Sequence, residues 1–351
     1  MQHTTRVSAI DVAKGIGIIC IVLGHVLPHS FVYSLLYAFH VPLFFVLSGL
    51  TYHHAENLRG FLVDKIRRIL VPYASFALIS IVLYRLMPLI LNTPVEEARL
   101  LPNILGMLYA NTNTGWMAWN RPLWFLPCLF AVLVLVHLAE TLLRRLPAKR
   151  RQLLRGCIVA AALALGAWLN KIPGLYLPFQ LESAVLLTAF AELGVILREG
   201  GLVNLMKSAQ SLRRWRAFAW AVPLAVIALL ISRYNGHVDI RAHMLGRSAP
   251  LMFLASCGFI AVVLGLSVCF SCCGILQRLG RSSLSILLMH KFPILFFQMV
   301  LPLTRRLLSS WDTLAGFLCG LAVTALTLLL CLLAEKLLVL LCPAVLGKRK
   351  N

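Results

Sequence analysis

Two ionisable residues in the first long apolar run have the spacing needed to hold two ends of one ligand. Lys14 and His25 lie eleven positions apart within 10–27, close to three turns of an α-helix, so both point the same way about 16 Å apart. The lysine suits an anionic group, and a histidine can remove a proton from a hydroxyl near neutral pH. Coenzyme A, with phosphates at one end and a thioester at the other, has the matching shape. The alternative is a lysine that reaches the interface and a histidine among the opposite headgroups.

Two further titratable residues lie close by in sequence. Asp11 precedes Lys14 by three residues, so the two side chains share a helix face and can pair. His40 precedes Pro42, and a proline inside a helix removes one backbone hydrogen bond. We therefore expect the second span to be kinked where a polar group faces inward. A purely structural histidine is the alternative.

Lys65 and Arg68 precede the third apolar run and share one helix face. They can clamp a phosphate, although ordinary basic flanking of a membrane span explains them as well.

Glu182 and Glu192 lie in a later apolar run, where a charged group is energetically unfavourable. The sequence identifies no partner for either glutamate.

The elements that position these residues must be membrane helices. Of the 351 residues, 60% are hydrophobic and only 13% are charged, and the mean hydropathy is +0.87. A soluble domain carries roughly 25% charged residues, so the bilayer is the main solvent. Runs long enough to span it predict an all-α polytopic helix bundle of about ten transmembrane helices in one domain over 1–351. These runs are 9–27, 31–52, 70–91, 122–143, 156–170, 181–197, 217–232, 249–270, 283–302 and 313–341.

The net charge of +21 falls mostly in short segments between these runs. The basic segments lie on one side if both termini are cytoplasmic, as the positive-inside rule requires, while 233–248 and Arg305–Arg306 fit less well. This distribution favours a membrane protein over a nucleic-acid-binding one.

Eight of the ten cysteines lie in apolar runs, where cysteine behaves as a small hydrophobic residue. We expect no structural disulfide and no metal site.

Several motifs in order along the chain resemble the acyltransferase-3 family of integral membrane acyltransferases, especially its fucose 4-O-acetylase-like branch. The family's Arg/Lys-x10-His signature falls on Lys14 and His25. Phe39 to Gly49 matches the next motif, and Lys65 with Arg68 matches a basic Arg-x-x-Arg-like element. Later matches are Pro122 to Leu126, Asn235 to Asp239, and Gly280 to Ile286 followed by His290.

The resemblance implies a bacterial inner-membrane O-acyltransferase that moves acetyl from cytoplasmic acetyl-CoA to a hydroxyl of a cell-surface polysaccharide or its lipid-linked precursor. His25 would be the catalytic base or acyl relay, and Lys14, Lys65 and Arg68 would orient the donor. The further candidates are His40 for catalysis, and Asp11, Trp124, Asp239 and His290 for substrate binding.

The rival hypothesis is a polytopic transporter or flippase, because ten spans with buried lysine, histidine and glutamate also suit a substrate pathway. Transporters often carry matched broken helices in two halves, and no such repeat is evident in the sequence. The acceptor sugar, the acyl length, the membrane face and the oligomeric state stay open at this level.

Overall fold

The computed structural model describes residues 6–28, 30–91, 100–114, 118–207 and 211–348. In these ranges the chain is almost entirely helical, and its strands are β1 (Val238–Asp239) and β2 (Met244–Leu245), which pair antiparallel. The helices are α1 (Ser8–Val26), α2 (Phe31–Tyr37), α3 (His40–Leu50), α4 (Leu58–Lys65), α5 (Val71–Leu91), α6 (Leu100–Tyr109), α7 (Phe125–Leu143), α8 (Ala148–Leu169), α9 (Leu181–Glu199), α10 (Leu202–Lys207), α11 (Ser211–Asn235), α12 (Ala249–Cys269), α13 (Gly274–Arg281), α14 (Ser283–Met289), α15 (Lys291–Val300), α16 (Pro302–Ser309) and α17 (Leu314–Leu341).

Nine helical segments in the described part of the chain are long and apolar enough to cross a membrane. This finding confirms the predicted all-α polytopic architecture. The remaining predicted span, 217–232, falls within α11, whose apolar part Ala219–Asn235 is shorter. The count of ten and the cytoplasmic termini stay predictions.

The chain divides into two compact units. Unit 1 comprises Met1–Tyr52, Phe190–Asp239 and Met244–Leu333, and unit 2 comprises His53–Ala189, Ile240–His243 and Ala334–Asn351. Two of the boundaries fall inside α9 and α17, so each of these helices contributes to both units. The single domain over 1–351 stays a prediction.

In unit 1, α1 packs most extensively against α13. A Cβ atom added at Gly15 would collide with the backbone of Leu276, and one added at Gly280 would collide with the carbonyl of Asp11. Small residues allow helix backbones to approach this closely, and such packing drives helix association where the hydrophobic effect is absent. The position of α1 therefore depends on these two glycines.

The same kind of contact joins α3 to the second half of α9, also within unit 1. Gly49 lies against the Ala191 carbonyl, and Gly194 lies against the Val46 carbonyl. Glycine at both crossing points leaves no side chain between the two backbones. The N-terminal helices are thus anchored to a helix much later in the sequence.

The second predicted span is broken, as its proline predicts. Helix α2 ends at Tyr37 and α3 begins at His40, with Ala38 and Phe39 forming a turn between them. Pro42 has no N–H to donate to the Ala38 carbonyl four residues earlier. The Ser256 hydroxyl of α12 donates to that carbonyl instead, over 2.6 Å.

Unit 2 places basic residues differently from the sequence-based expectation. The predicted loop 144–155 is largely helical, because α8 begins at Ala148. Arg155 is completely buried there and forms a salt bridge with Glu140 of α7. Arg144, just after α7, donates two hydrogen bonds to the exposed Glu56, which lowers the pKa of that carboxyl from its usual value.

We predict that Gly280→Ala destabilises the protein by about 1–3 kcal/mol, because the new Cβ meets backbone that cannot rotate away. The control is Gly156→Ala in α8, where a Cβ has nothing within 4 Å. That change should be neutral or stabilising by up to about 1 kcal/mol, since alanine favours a helix. Thermal unfolding of both variants in detergent measures the difference, and equal midpoints would show that the α1–α13 contact tolerates a side chain.

Candidate functional site

Unit 1 contains a cluster of histidine and tyrosine rings drawn from five places in the chain. Helix α1 supplies one ring, α2 supplies two, and the others come from the start of α3, the turn before β1 and the junction of α14 with α15. The cluster brings together three residues that the sequence analysis selected separately. We call it the histidine–tyrosine cluster, and its members are His25, Tyr33, Tyr37, His40, His237 and His290.

His25 lies beside His290 and Tyr37. The His25 and His290 ring centroids are 5.1 Å apart with the planes tilted by 30°. Tyr37 meets His25 edge-on, at 6.2 Å between centroids and 82° between planes. His25 is half-buried, whereas His290 is completely buried. The residue at the end of α1 therefore has a second imidazole as its neighbour.

Tyr37 links the remaining rings. Its centroid lies 4.6 Å from that of His40 and 3.9 Å from that of Tyr33. The His237 ring stacks on Tyr33 at 5.3 Å. Tyr33, Tyr37 and His237 received no role from the sequence. The i, i+4 spacing of the two tyrosines beside the His40 motif was the available signal, since such residues share one helix face.

Backbone carbonyls fix the hydrogen on two of the imidazoles. The Nδ1 atom of His40 lies 2.7 Å from the Leu36 carbonyl, and the Nδ1 atom of His290 lies 2.9 Å from the Leu287 carbonyl. Carbonyl oxygens only accept, so each Nδ1 must carry the hydrogen. In the neutral ring this leaves a lone pair on Nε2. The His290 Nε2 atom is buried and has no hydrogen-bond partner among the described residues, so it can accept a hydrogen bond from a ligand.

The short hairpin after α11 carries Asp239. Its carboxylate is buried in β1 and interacts electrostatically with His40. Asn235 holds the hairpin closed, because its Nδ2 donates to the Leu245 carbonyl over 3.0 Å and its Oδ1 accepts from the Ser248 N–H over 3.0 Å. The hairpin thus places a carboxylate as an electrostatic neighbour of His40.

The cation at the other end of α1 is Lys14. It is half-buried and makes no hydrogen bond or salt bridge within the described ranges. The Asp11–Lys14 pair that the spacing allows does not form. Arg6 instead donates to both oxygens of Asp11, at 2.6 and 3.1 Å, because the planar guanidinium matches a carboxylate better than an ammonium does. Lys14 is thus left for another anion.

Lys65 and Arg68, the other residues predicted to bind the acyl donor, lie in unit 2. Asp64 forms salt bridges with both Lys65 and Arg68, at 3.4 and 2.6 Å. Arg68 belongs to a π-helical turn, Ile66–Leu70, between α4 and α5. A phosphate at this pair would have to compete with the Asp64 carboxylate. Trp124 is buried and meets Phe125 edge-on at 6.4 Å.

A family model for an acyltransferase domain matches residues 7–335. The chain belongs to the acyltransferase-3 family. No curated protein and no solved structure matches the sequence significantly. The matched region includes every predicted site residue, from Asp11 to His290, and it supports a membrane acyltransferase. The match gives no support to a transporter, and the fucose 4-O-acetylase-like branch stays a prediction.

We predict that Ser256→Ala weakens the site, because the Ala38 carbonyl loses its donor and His40 sits two residues further on. The loss should be about 1–3 kcal/mol of stability, the usual penalty for a buried unsatisfied group, with a fall in acyltransferase activity. Ser267→Ala is the matched control, since this serine is also buried in α12 but donates to the Leu264 carbonyl of its own helix. Thermal midpoints and activities of the two variants in detergent give the comparison. Equal effects would show that the break before α3 does not depend on Ser256.

Proposed function

We propose that the protein transfers acetyl from acetyl-CoA to a hydroxyl of an envelope polysaccharide or its lipid-linked precursor. The observation that carries this proposal is the neighbourhood of His25. It lies beside His290 and Tyr37, eleven residues along one helix from Lys14, which is half-buried and forms no salt bridge within the described ranges. A family of membrane acyltransferases supplies the reaction class.

Lys14 is suited to hold the anionic end of the donor. An ammonium that is half-buried and lacks a salt bridge gains most from a phosphate, because the surroundings screen the charge weakly. The helical rise over eleven residues is about 16 Å. The flexible pantetheine arm of coenzyme A can extend along this length and bring the thioester to His25. Lys65 and Arg68 stay predicted phosphate contacts, and in the structure both pair with Asp64.

His25 then acts as the general base. It takes the proton from the sugar hydroxyl as the hydroxyl oxygen attacks the thioester carbonyl carbon. The new C–O bond gives a tetrahedral intermediate, which collapses with cleavage of the C–S bond. The departing thiolate of coenzyme A takes the proton back from the imidazolium. The products are the acetyl ester and free coenzyme A, and His25 is restored.

The neighbouring rings position and assist His25. His290, with its Nδ1 hydrogen held by backbone carbonyls, presents the Nε2 lone pair as a hydrogen-bond acceptor beside the base. His40 is held in the same tautomer by Leu36 and interacts electrostatically with the Asp239 carboxylate. Asp11 pairs with Arg6 and Trp124 is buried, and their contacts with the substrate stay predictions.

The proposed setting is the bacterial inner membrane, where cytoplasmic acetyl-CoA and growing envelope glycans are both within reach. Nine apolar helical segments in the described ranges support an integral membrane protein. The resemblance to the fucose 4-O-acetylase-like branch supports a carbohydrate acceptor. No metal is required, because the imidazole base and a thioester leaving group suffice for the reaction.

We predict that His25→Ala reduces acetyl transfer by at least about a hundredfold, since a general base contributes on the order of 10²–10⁴ in rate. The control is His53→Ala, an exposed histidine outside the cluster, which should retain activity. The measurement is transfer of labelled acetyl from acetyl-CoA to envelope glycan by membranes that contain each variant in equal amount. A fully active His25→Ala protein would refute the proposed mechanism, and wild-type membranes that accumulate substrate without consuming acetyl-CoA would indicate transport.

We predict that Lys14→Met raises the KM for acetyl-CoA by about tenfold or more, as expected for loss of a charge-assisted contact of roughly 1.5–3 kcal/mol. Lys14→Arg should keep the KM near the wild-type value, because it preserves the charge at the same place on α1. Initial rates at varied acetyl-CoA concentration distinguish the two. Similar donor KM values for the methionine and arginine variants would exclude Lys14 as the phosphate contact.

A further inference from the structure

A second polar cluster lies in unit 2, where segments 109–114, 176–182 and 240–243 meet. We call it the Glu182 network, and its members are Asn111, Asn113, Gln180, Glu182, Arg241 and His243. We infer that this network, with Tyr109 and Tyr176 at its rim, binds the carbohydrate acceptor. The inference rests on the proposed function and adds a binding site to it, separate from the residues that carry the chemistry.

Glu182 is the centre of the network. It is completely buried, and its carboxylate accepts from Asn111 Nδ2 over 2.9 Å and from the Leu177 N–H over 3.1 Å. The His243 Nε2 atom lies 3.2 Å from the same carboxylate and must donate to it. The glutamate that seemed costly in an apolar run is therefore fully engaged by three donors from three segments.

Gln180 is a second completely buried member of the network. Its Nε2 donates to Asn111 Oδ1 over 3.1 Å, which fixes the orientation of both amides. Its Oε1 atom is completely buried and has no hydrogen-bond partner among the described residues. An unmade hydrogen bond at a buried amide is unfavourable, so this oxygen needs a donor that no described residue supplies. A ligand hydroxyl is such a donor.

The backbone around the network is strained. Every non-glycine residue with positive φ in the described part of the chain belongs to these three segments: Ala110 (58°), Phe179 (59°), Gln180 (54°) and His243 (61°). Such conformations are uncommon for side chains with a Cβ and concentrate at functional sites. They are consistent with a backbone shape held for a ligand.

The rim of the network is accessible. Tyr109 and Tyr176 are more than a third exposed, and the Tyr109 hydroxyl donates to the Tyr176 carbonyl over 2.7 Å. The Tyr176 ring lies 5.7 Å from that of the partly exposed His243. Arg241 donates to Asn113 Oδ1 over 3.1 Å. The exposed rings of Tyr109 and Tyr176 thus lie next to hydrogen-bonding groups that the buried members of the network hold in place.

This combination suits a neutral polyhydroxylated ligand. The Gln180 Oε1 atom provides an acceptor and the partly exposed Arg241 guanidinium provides N–H donors, which matches hydroxyl groups that both donate and accept. Glu182 would repel a phosphate, and Arg241 would repel a cation. The exposed tyrosine rings can cover the apolar C–H face of a sugar. A carbohydrate meets all of these requirements at once.

The predicted topology adds a membrane side to the inference. The alternation of spans with a cytoplasmic N-terminus assigns 92–121, 171–180 and 233–248 to the non-cytoplasmic face. The three segments that form the Glu182 network lie in, or at the edge of, these loops. We therefore expect the acceptor to be recognised on that face.

The test is binding of the host envelope polysaccharide, stripped of acetyl groups by mild base, to the detergent-purified full chain without acetyl-CoA. Tyr176→Ala and His243→Asn should each weaken binding by about tenfold, the equivalent of one lost contact. Asparagine tolerates positive φ, so the second change removes the imidazole while preserving the backbone. The matched control is Tyr234→Ala, another exposed tyrosine, which lies at the end of α11 and should leave the dissociation constant unchanged.

His25→Ala separates this inference from the proposed function, because it should bind the polysaccharide normally and transfer nothing. Normal polysaccharide binding by both Tyr176→Ala and His243→Asn, at unchanged thermal midpoints, would overturn the inference. Absence of polysaccharide binding by the wild-type protein would overturn it as well. A third outcome is that the wild-type protein binds the polysaccharide, the two variants bind it more weakly, and the wild-type protein never transfers acetyl. That outcome would support the inference and refute the proposed function.

Discussion

The contact between the backbones of α1 and α13 is the constraint on which the site depends. Gly15 and Gly280 leave no side chain between the two helices, so α1 has little freedom to slide or rotate. Helix α13 leads through Ser282 into α14, which ends at Met289, and the ring of the next residue, His290, lies beside that of His25. The same segment therefore meets α1 near Lys14 and again at the histidine that we propose as the base.

A polar cluster inside an apolar bundle needs compensation, and the structure shows how it is supplied. Backbone carbonyls near the break between α2 and α3 and at the end of α14 accept from imidazole hydrogens. Ser256 satisfies the carbonyl that Pro42 leaves without a donor. Each arrangement also fixes a ring or a helix end. The groups that make the cluster tolerable in the membrane thus also fix the orientation of its rings.

Sequence reasoning could predict what depends on local spacing. The apolar runs define the spans because about twenty residues cross a bilayer, and Pro42 locates the break because its effect reaches only one turn back. The common face of Lys14 and His25 follows from helical period alone. The choice of hydrogen-bond and salt-bridge partners does not follow from local spacing. Ser256 reaches Ala38 across 218 positions, and Asn111 reaches Glu182 across 71, while Asp11 selects Arg6 over Lys14 by the geometry of the donor rather than by spacing.

We propose that helix α1 holds both ends of the acyl donor. The most direct test is a cryo-electron microscopy structure of the full chain with a non-hydrolysable thioether analogue of acetyl-CoA. We expect the phosphates at Lys14 and the acetyl end within hydrogen-bonding reach of the His25 ring, with the arm extended along α1. An analogue whose acetyl end lies away from the histidine–tyrosine cluster, or whose phosphates bind without Lys14, would contradict the account.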